Sequence, residues 1–67
     1  METFGKRLAV LRQEKGWSQH DLSKKVRVSP SAIRFYETER STPGFWTLIE
    51  IGKALDVSLD YLCLGEK

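Results

Sequence analysis

Two helix-start signals, eleven positions apart, constrain the fold of this chain more than any other feature. Ser18 has the pattern of a helix N-cap, with Asp21 three residues later as the second member of a capping box. Ser29 repeats the signal and precedes Pro30, which is well tolerated as the first residue of a helix. Only two residues separate the expected end of the first of these helices, near Val26, from Ser29. The two short helices must therefore splay sharply at a tight turn.

Apolar spacing predicts helices in the rest of the chain as well, and no segment alternates with the period of a strand. Helix one is expected from about Thr3 to Lys15, with Gly16 in a left-handed C-terminal conformation. A loop, "TERSTPG", follows the two capped helices. Helix four is expected from about Phe45 to Leu55, and a last short helix from Ser58 to Leu62. The predicted inner stripe of helix four comprises Phe45, Leu48, Ile51 and Leu55. Ile33 and Tyr36, from the second of the two capped helices, are predicted to lie in the core with Leu48 and Leu55.

Length and composition exclude several classes of protein. At 67 residues the chain has room for one domain, and its single cysteine, Cys63, rules out an internal disulfide bond. One Cys and one His, His20, are too few for a structural zinc site, and neither belongs to a catalytic constellation. No cofactor, metal, small-molecule ligand or enzymatic activity is therefore expected. No apolar run approaches a membrane span and no signal peptide follows Met1, so the cytoplasm is the expected compartment.

Charge is unevenly distributed along the chain. Residues 1–40 hold nine Lys and Arg against five Asp and Glu, whereas residues 41–67 hold two against four. The first part is thus positive and the second negative, within a total of +2. A basic N-terminal part indicates a polyanionic partner there, although a solvated helix face has the same composition.

In its order of motifs the chain resembles the Cro/repressor-type, λ-repressor-like helix-turn-helix domains of bacterial and phage regulators. The residues that carry the resemblance are "LRQEKGWSQHDLSKKVRVSPSAIRFYETER" and "TPGFWTLIEIGKALDVSLDYL", within about residues 4 to 64. The resemblance implies an all-α, five-helix domain over residues 1–67, with the helix-turn-helix motif at about residues 18–37. It implies a cytoplasmic regulator of transcription, expected to be a repressor, that binds a double-stranded DNA operator and is encoded by a bacterium or a phage.

Two positions depart from the family pattern. The family usually has glycine in the turn between helices two and three, where this chain has Arg27, and often has glycine shortly after the Tyr-Glu pair, where this chain has Glu39. A residue other than glycine in left-handed geometry costs about 1–2 kcal/mol. Either both turns carry mild strain, or their geometry differs locally from that of the family.

In this fold, helix three (about Ser29–Glu37) lies in the major groove with its N-terminal part near base edges. A projection at about 100° per residue places Ser31, Arg34 and Phe35 on its outer side, and these are the candidate base readers. Arg34 suits guanine, but a solvated arginine or a phosphate contact is the alternative. Ser31 suits either a base or a phosphate. An outward Phe35 suits a thymine methyl group, unless it is partly buried under the neighbouring loop.

The family also implies contacts to the DNA backbone and one internal ion pair. Gln19, at the start of helix two, matches the glutamine that holds a phosphate, with an ordinary polar first-turn residue as the alternative. The other candidates for backbone contacts are basic or hydroxyl-bearing residues that also suit a solubilising role, namely Lys24, Lys25, Arg27, Ser29, Thr38 and Arg40. Arg12 and Glu37 correspond to the family's partly buried ion pair, which joins helix one to the reading helix.

Apolar residues in the C-terminal part exceed what the core requires. Trp46, Ile49, Tyr61 and Leu64 are the candidates for the seam of a homodimer, with both copies bound to a two-fold symmetric operator. The same exposed residues suit a different function, because an antitoxin or another protein-interaction module on this fold also needs an apolar surface. The excess of positive charge in residues 1–40 favours DNA over a purely protein partner.

Overall fold

Five helices make up the described part of the chain, residues 2–66 of a computed structural model, and that part contains no strand. They are α1 (Phe4–Glu14), α2 (Gln19–Val26), α3 (Pro30–Glu37), α4 (Phe45–Leu55) and α5 (Leu59–Leu64). Helix α2 packs against both α3 and α4, α1 packs against α3 and α5, and α5 also contacts α4. The all-α, five-helix fold expected from the sequence is confirmed. None of the helices described is long and apolar enough to cross a membrane.

Local signals define where the helices begin. The Ser18 hydroxyl accepts a hydrogen bond from the Asp21 N–H, and the Asp21 carboxylate accepts one from the Ser18 N–H, which completes the capping box. The hydrogen bond from the Ser18 N–H, and after it the interaction of the Ser18 hydroxyl with the carboxylate, hold the pKa of the Asp21 carboxyl below its ordinary value of 3.8. Ser29 and Ser58 each accept one bond from the first turn of the following helix. Four of the five helices thus start at a side-chain cap, since Thr3 accepts from Lys6 in the same way.

Three helices are followed within two residues by a left-handed residue that is not glycine. Arg27 has φ 60°, Glu39 has φ 64° and Asp56 has φ 59°. The first two are the positions where the family usually or often has glycine, so the mildly strained alternative is the one that the structure adopts, at a cost of about 1–2 kcal/mol each. The sequence pattern does not predict the left-handed conformation of Asp56. Gly16, with φ 76°, takes the left-handed conformation predicted for it.

The core forms where all five helices converge. Its buried apolar residues come from every helix: Leu8, Leu11, Leu22, Val26, Ile33, Tyr36, Ile51, Leu55 and Leu62. Ile33, Tyr36 and Leu55 are therefore core residues, as predicted, whereas Leu48 is only partly buried against the cluster. The prediction for Phe45 is wrong, because 66% of its surface is exposed. As the first residue of α4, Phe45 carries its ring toward the helix N-terminus and away from the core.

Arg7 joins the two ends of the fold from a buried position. Its surface is only 5% exposed, Nε donates to the Leu62 carbonyl at 3.0 Å and Nη2 donates to the Cys63 carbonyl at 2.8 Å. Carbonyls in the last turn of a helix have no partner within the helix, so the guanidinium of α1 satisfies those of α5. The sequence pattern did not indicate this contact.

Candidate nucleic-acid interface

Helix α3 has an apolar inner face and a polar outer face. Ser29 caps its start, Pro30 is its first residue, and Ile33 and Tyr36 point into the core. The outer face carries two of the candidate base readers, Ser31 and Arg34, which are both exposed to solvent. The inner face of α3 is therefore packed in the core, and its outer face, where these two candidate base readers lie, is open to solvent.

A buried ion pair fixes α3 to α1. Arg12 Nε lies 2.6 Å from Glu37 Oε2 and Nη2 lies 3.1 Å from Oε1, with only 11% and 6% of the two side chains exposed. Arg12 Nη1 also donates to the Trp17 carbonyl at 2.7 Å, and Gln19 Nε2 donates to Glu37 Oε1 at 3.0 Å. The structure thus contains the ion pair expected from the family pattern. It links α1, the start of α2 and the end of α3 in one polar network.

A close backbone approach between α1 and the turn after α3 reinforces that junction. The Gly5 N–H donates to Glu39 Oε2, and a Cβ atom on Gly5 would lie closer than 3.0 Å to the carbonyl oxygens of Tyr36 and Glu37. Only glycine fits at this position. The sequence does not predict this role of Gly5, because no residue near it in the chain signals its contact with the turn after α3. Gly52, in contrast, was predicted to mark a close helix approach, and a Cβ there would lie 3.1 Å from Leu59 Cδ2.

The first of two clefts on the outer side of α3 has a volume of about 190 Å³. Its lining residues are Gln19, Pro30, Ser31 and Arg34. Three of these are residues that the sequence proposed for DNA contacts. Gln19 uses one amide proton on Glu37, so its second amide proton and its backbone N–H at the start of α2 remain available as donors.

The second cleft, of about 450 Å³, lies around the C-terminal half of α3 and the turn that follows. It is lined by Arg34, Phe35, Thr38 and Arg40. Phe35 is half-buried, with the guanidinium carbons of Arg34 and Arg40 5.4 and 5.9 Å from the centroid of its ring. Thr38 Oγ1 donates to the Arg34 carbonyl at 2.8 Å, so its hydroxyl proton is engaged within the helix. Arg34 lines both clefts and thereby connects them.

The remaining candidates for backbone contacts are distributed more widely. Ser29 Oγ accepts from the Ala32 N–H at 3.1 Å and keeps its hydroxyl proton free to donate, and Lys24 is exposed. The Lys25 ammonium lies 4.6 Å from the centroid of the Trp17 ring. Together with Arg27, it lines a separate groove between α2 and α4, and the full lining is Trp17, Lys25, Arg27, Glu50, Lys53 and Ala54. The structure therefore does not bring Lys25 and Arg27 into the clefts beside α3.

The four residues proposed for a dimer seam differ in exposure. Trp46 and Leu64 are largely exposed, at 76% and 64%, and the Trp46 ring meets that of Phe45 edge-on at 5.0 Å. Ile49 is half-buried and lines a groove between α4 and the turn that leads into α5, whose first residue, Leu59, also lines it. Tyr61 packs partly against the core and so is not entirely surplus to it, contrary to expectation. The uncovered apolar surface is thus concentrated at the start of α4 and the end of α5.

Comparison with known proteins gives consistent matches over nearly the entire chain. The sequence model of the helix-turn-helix family matches residues 8–62. The HTH-type transcriptional regulator YqaE of Bacillus subtilis is 38% identical over 63 residues, which cover 94% of this chain and 54% of that protein. Multiprotein-bridging factor 1 of Candida glabrata is 39% identical over 62 residues, which cover 92% of this chain and 41% of that protein. The chain thus spans about half the length of these relatives or less.

Among solved structures, the P22 c2 repressor in complex with a synthetic operator has the same fold. It aligns with a TM-score of 0.95 at 33% identity, over 98% of this chain and 100% of that one. All five helices therefore have counterparts in a repressor whose structure was determined on DNA.

Proposed function

Because this chain belongs to the helix-turn-helix family of the Cro/repressor type, we propose that it is a sequence-specific, DNA-binding regulator of transcription. The observation that carries the proposal is the outer side of α3, where exposed Ser31 and Arg34 lie beside clefts that hold a further basic residue, Arg40. The similar P22 c2 repressor binds its operator with the same fold, which supports this assignment and favours repression as the outcome. The cytoplasm of a bacterium is the proposed location.

In the proposed complex, α3 lies in the major groove and Arg34 contacts a base. The Arg34 guanidinium has five N–H donors and matches O6 and N7 of guanine, a contact worth about 1–3 kcal/mol of discrimination against other bases. Ser31, one turn closer to the start of α3, is the second proposed base reader. Gln19, Ser29 and Arg40 have donors suited to phosphate oxygens and set the register of the helix in the groove.

Selection of bound sequences from a random duplex pool tests this function. Wild-type protein should enrich a defined consensus, with an affinity that falls steeply with salt because bound phosphates release counterions. Arg34→Ala should relax the consensus at one base pair, whereas the matched control Lys24→Ala should lower affinity evenly for all sequences. An unchanged consensus for Arg34→Ala would refute base reading by this residue, and no enrichment by wild-type protein would refute the function itself.

We also propose that two copies bind a two-fold symmetric operator. One domain reads few base pairs, so two copies at half-sites about 34 Å apart give the selectivity a regulator needs. The proposed seam is the surface formed by Trp46, Ile49, Tyr61 and Leu64, since Trp46 and Leu64 are two of the most exposed large apolar residues in the described part of the chain. Sedimentation of wild-type protein and of Trp46→Ala/Leu64→Ala, with and without DNA, tests the seam. A monomer that binds single half-sites without cooperativity would refute it.

A second candidate function has one specific observation in its favour. Phe45 and Trp46 form an exposed aromatic pair, and the similar multiprotein-bridging factor is, by its name, a protein that connects others. A protein partner bound at this pair would make the domain a protein-interaction module, for example an antitoxin. One experiment separates the two candidates: Arg34→Ala should relax the DNA consensus and leave a protein partner bound, whereas Trp46→Ala should release the partner and leave the half-site consensus unchanged.

A further inference from the structure

The turn that follows α3 places Arg40 next to Phe35. Glu39 is left-handed at φ 64°, the Arg40 N–H donates to the Phe35 carbonyl at 2.9 Å, and the Glu39 N–H donates to the Tyr36 carbonyl at 3.4 Å. This pair of bonds defines a Schellman motif, in which the residue after the left-handed position usually makes an apolar contact with the third-last helical residue. Here those residues are an arginine and a phenylalanine, so the contact is between a guanidinium and a ring.

Two cations share that ring. The guanidinium carbons of Arg34 and Arg40 lie 5.4 and 5.9 Å from the centroid of Phe35, within the range in which the face of an aromatic ring attracts a cation. The half-buried ring contributes to the lining of the cleft of about 450 Å³, so both guanidinium groups border the same open space. The backbone fixes Phe35 and the start of Arg40, and the ring limits where the two long side chains can go.

The acidic residues nearby are turned away from this cleft. Glu37 is bound to Arg12, and Glu39 accepts its hydrogen bond from Gly5, both on the side of α3 that faces α1. Within residues 2–66, neither guanidinium at the cleft has an ion-pair partner. Two cations with unused donors, held in one cleft and separated from the nearest carboxylates, make a site for an anion.

We infer that Phe35 is a positioning residue, whose ring holds Arg40 at the cleft so that Arg40 donates to one phosphodiester group of the DNA backbone while the neighbouring Arg34 contacts a base. This role rests on the proposed DNA binding. A phosphate fits the cleft better than a base, because base edges meet the N-terminal part of such a helix and the cleft lies at its C-terminal end. Phe35 then acts through the arginines and does not touch a thymine methyl group.

Double-mutant cycles on the selected duplex test the inference, with fluorescence anisotropy at several salt concentrations as the measurement. Phe35→Leu and Phe35→Met remove the ring and keep an apolar side chain, and each should weaken binding about two- to fivefold, the size of an exposed cation–π contact. Phe35→Tyr should restore wild-type affinity. In an Arg40→Ala background, where the log–log salt slope should fall by about 0.9, the same replacements should lose most of their effect.

Two controls separate this role from the alternatives. Val10→Ala removes exposed apolar surface on α1, outside the cleft, and should leave affinity unchanged. A duplex with uracil in place of thymine lacks every methyl group, and the ratio of wild-type to Phe35→Leu affinity should be the same on it. A ratio that falls to one on uracil, equal losses with and without Arg40, or failure of Tyr to rescue would each overturn the inference. Absence of selective binding by wild-type protein would instead refute the proposed function.

Discussion

The junction between α1 and α3 and the start of α4 show two opposite ways of using the surface of a small domain. At the junction, Arg12, Glu37 and Gly5 bring polar atoms into close, buried contact. At the start of α4, Phe45 and Trp46 are largely exposed, and their rings meet edge-on. The junction fixes the orientation of the helix proposed to read DNA, and it can tolerate little change. The α4 surface contributes little to the fold, so it is free to serve a partner.

The largest expected effect breaks the ion pair at the junction. Glu37→Gln leaves the Arg12 guanidinium buried without a counter-charge and also disturbs the bond from Gln19, so the free energy of unfolding should fall by about 3–5 kcal/mol. Urea denaturation, followed by circular dichroism, measures it. Glu14→Gln, on the exposed side of α1, is the matched control and should change stability by less than about 0.5 kcal/mol. Equal effects of the two replacements would mean that the junction does not depend on this pair.

A somewhat smaller loss is expected from a single added methyl group. Gly5→Ala places Cβ against the carbonyl oxygens of Tyr36 and Glu37, and backbone atoms cannot move aside as a flexible side chain can. We expect a loss of about 2–3 kcal/mol in unfolding free energy, as for other overpacked positions. Gly44→Ala, where a Cβ meets nothing within 4 Å, should be nearly neutral. Thermal denaturation of both variants tests the contrast, and a stable Gly5→Ala protein would disprove the close approach.

Two of the left-handed residues allow the junction to be compared with another turn, because Glu39 belongs to the junction and Arg27 does not. Arg27→Gly should relieve strain and raise the free energy of unfolding by about 1 kcal/mol. Glu39→Gly relieves the same strain but removes the carboxylate that accepts from the Gly5 N–H, a bond worth about 1 kcal/mol, so its net effect should be near zero. The melting temperatures of both variants test these two expected changes in stability. A larger gain for Glu39→Gly than for Arg27→Gly would contradict this view of the junction.

The smallest effect is expected at the start of α4. Trp46→Ala should change the free energy of unfolding by no more than about 0.5 kcal/mol, since the residue is 76% exposed. Its effect should instead appear in sedimentation or in binding to a partner. If chemical denaturation showed a loss comparable to that of Gly5→Ala, the aromatic pair would be part of the fold and the contrast between the two regions would fail.

Much of the candidate interface was predictable because it depends on periodicity and on a family pattern. The outer side of α3 was placed correctly, and Ser31 and Arg34 are exposed there. Phe35 was left open between a base contact and partial burial, and the structure places it half-buried beneath two guanidinium groups. That arrangement depends on the turn after α3, whose left-handed Glu39 was only one of two alternatives from the sequence. The separate location of Lys25 and Arg27 depends on α4, which lies far away in the chain.

The sequence by itself determined the helices and their starts. Ser18, Asp21, Ser29 and Ser58 bind backbone N–H groups no more than three residues away, so a short stretch of chain contains both the signal and its partner. Only the tertiary structure decided that Gly5 must be glycine, that Arg7 is buried and that Phe45 is exposed. Gly5 meets Glu39 across 34 positions and Arg7 meets Leu62 across 55, so no local pattern contains both partners. Whether Phe45 is covered depends in the same way on which helices reach the start of α4.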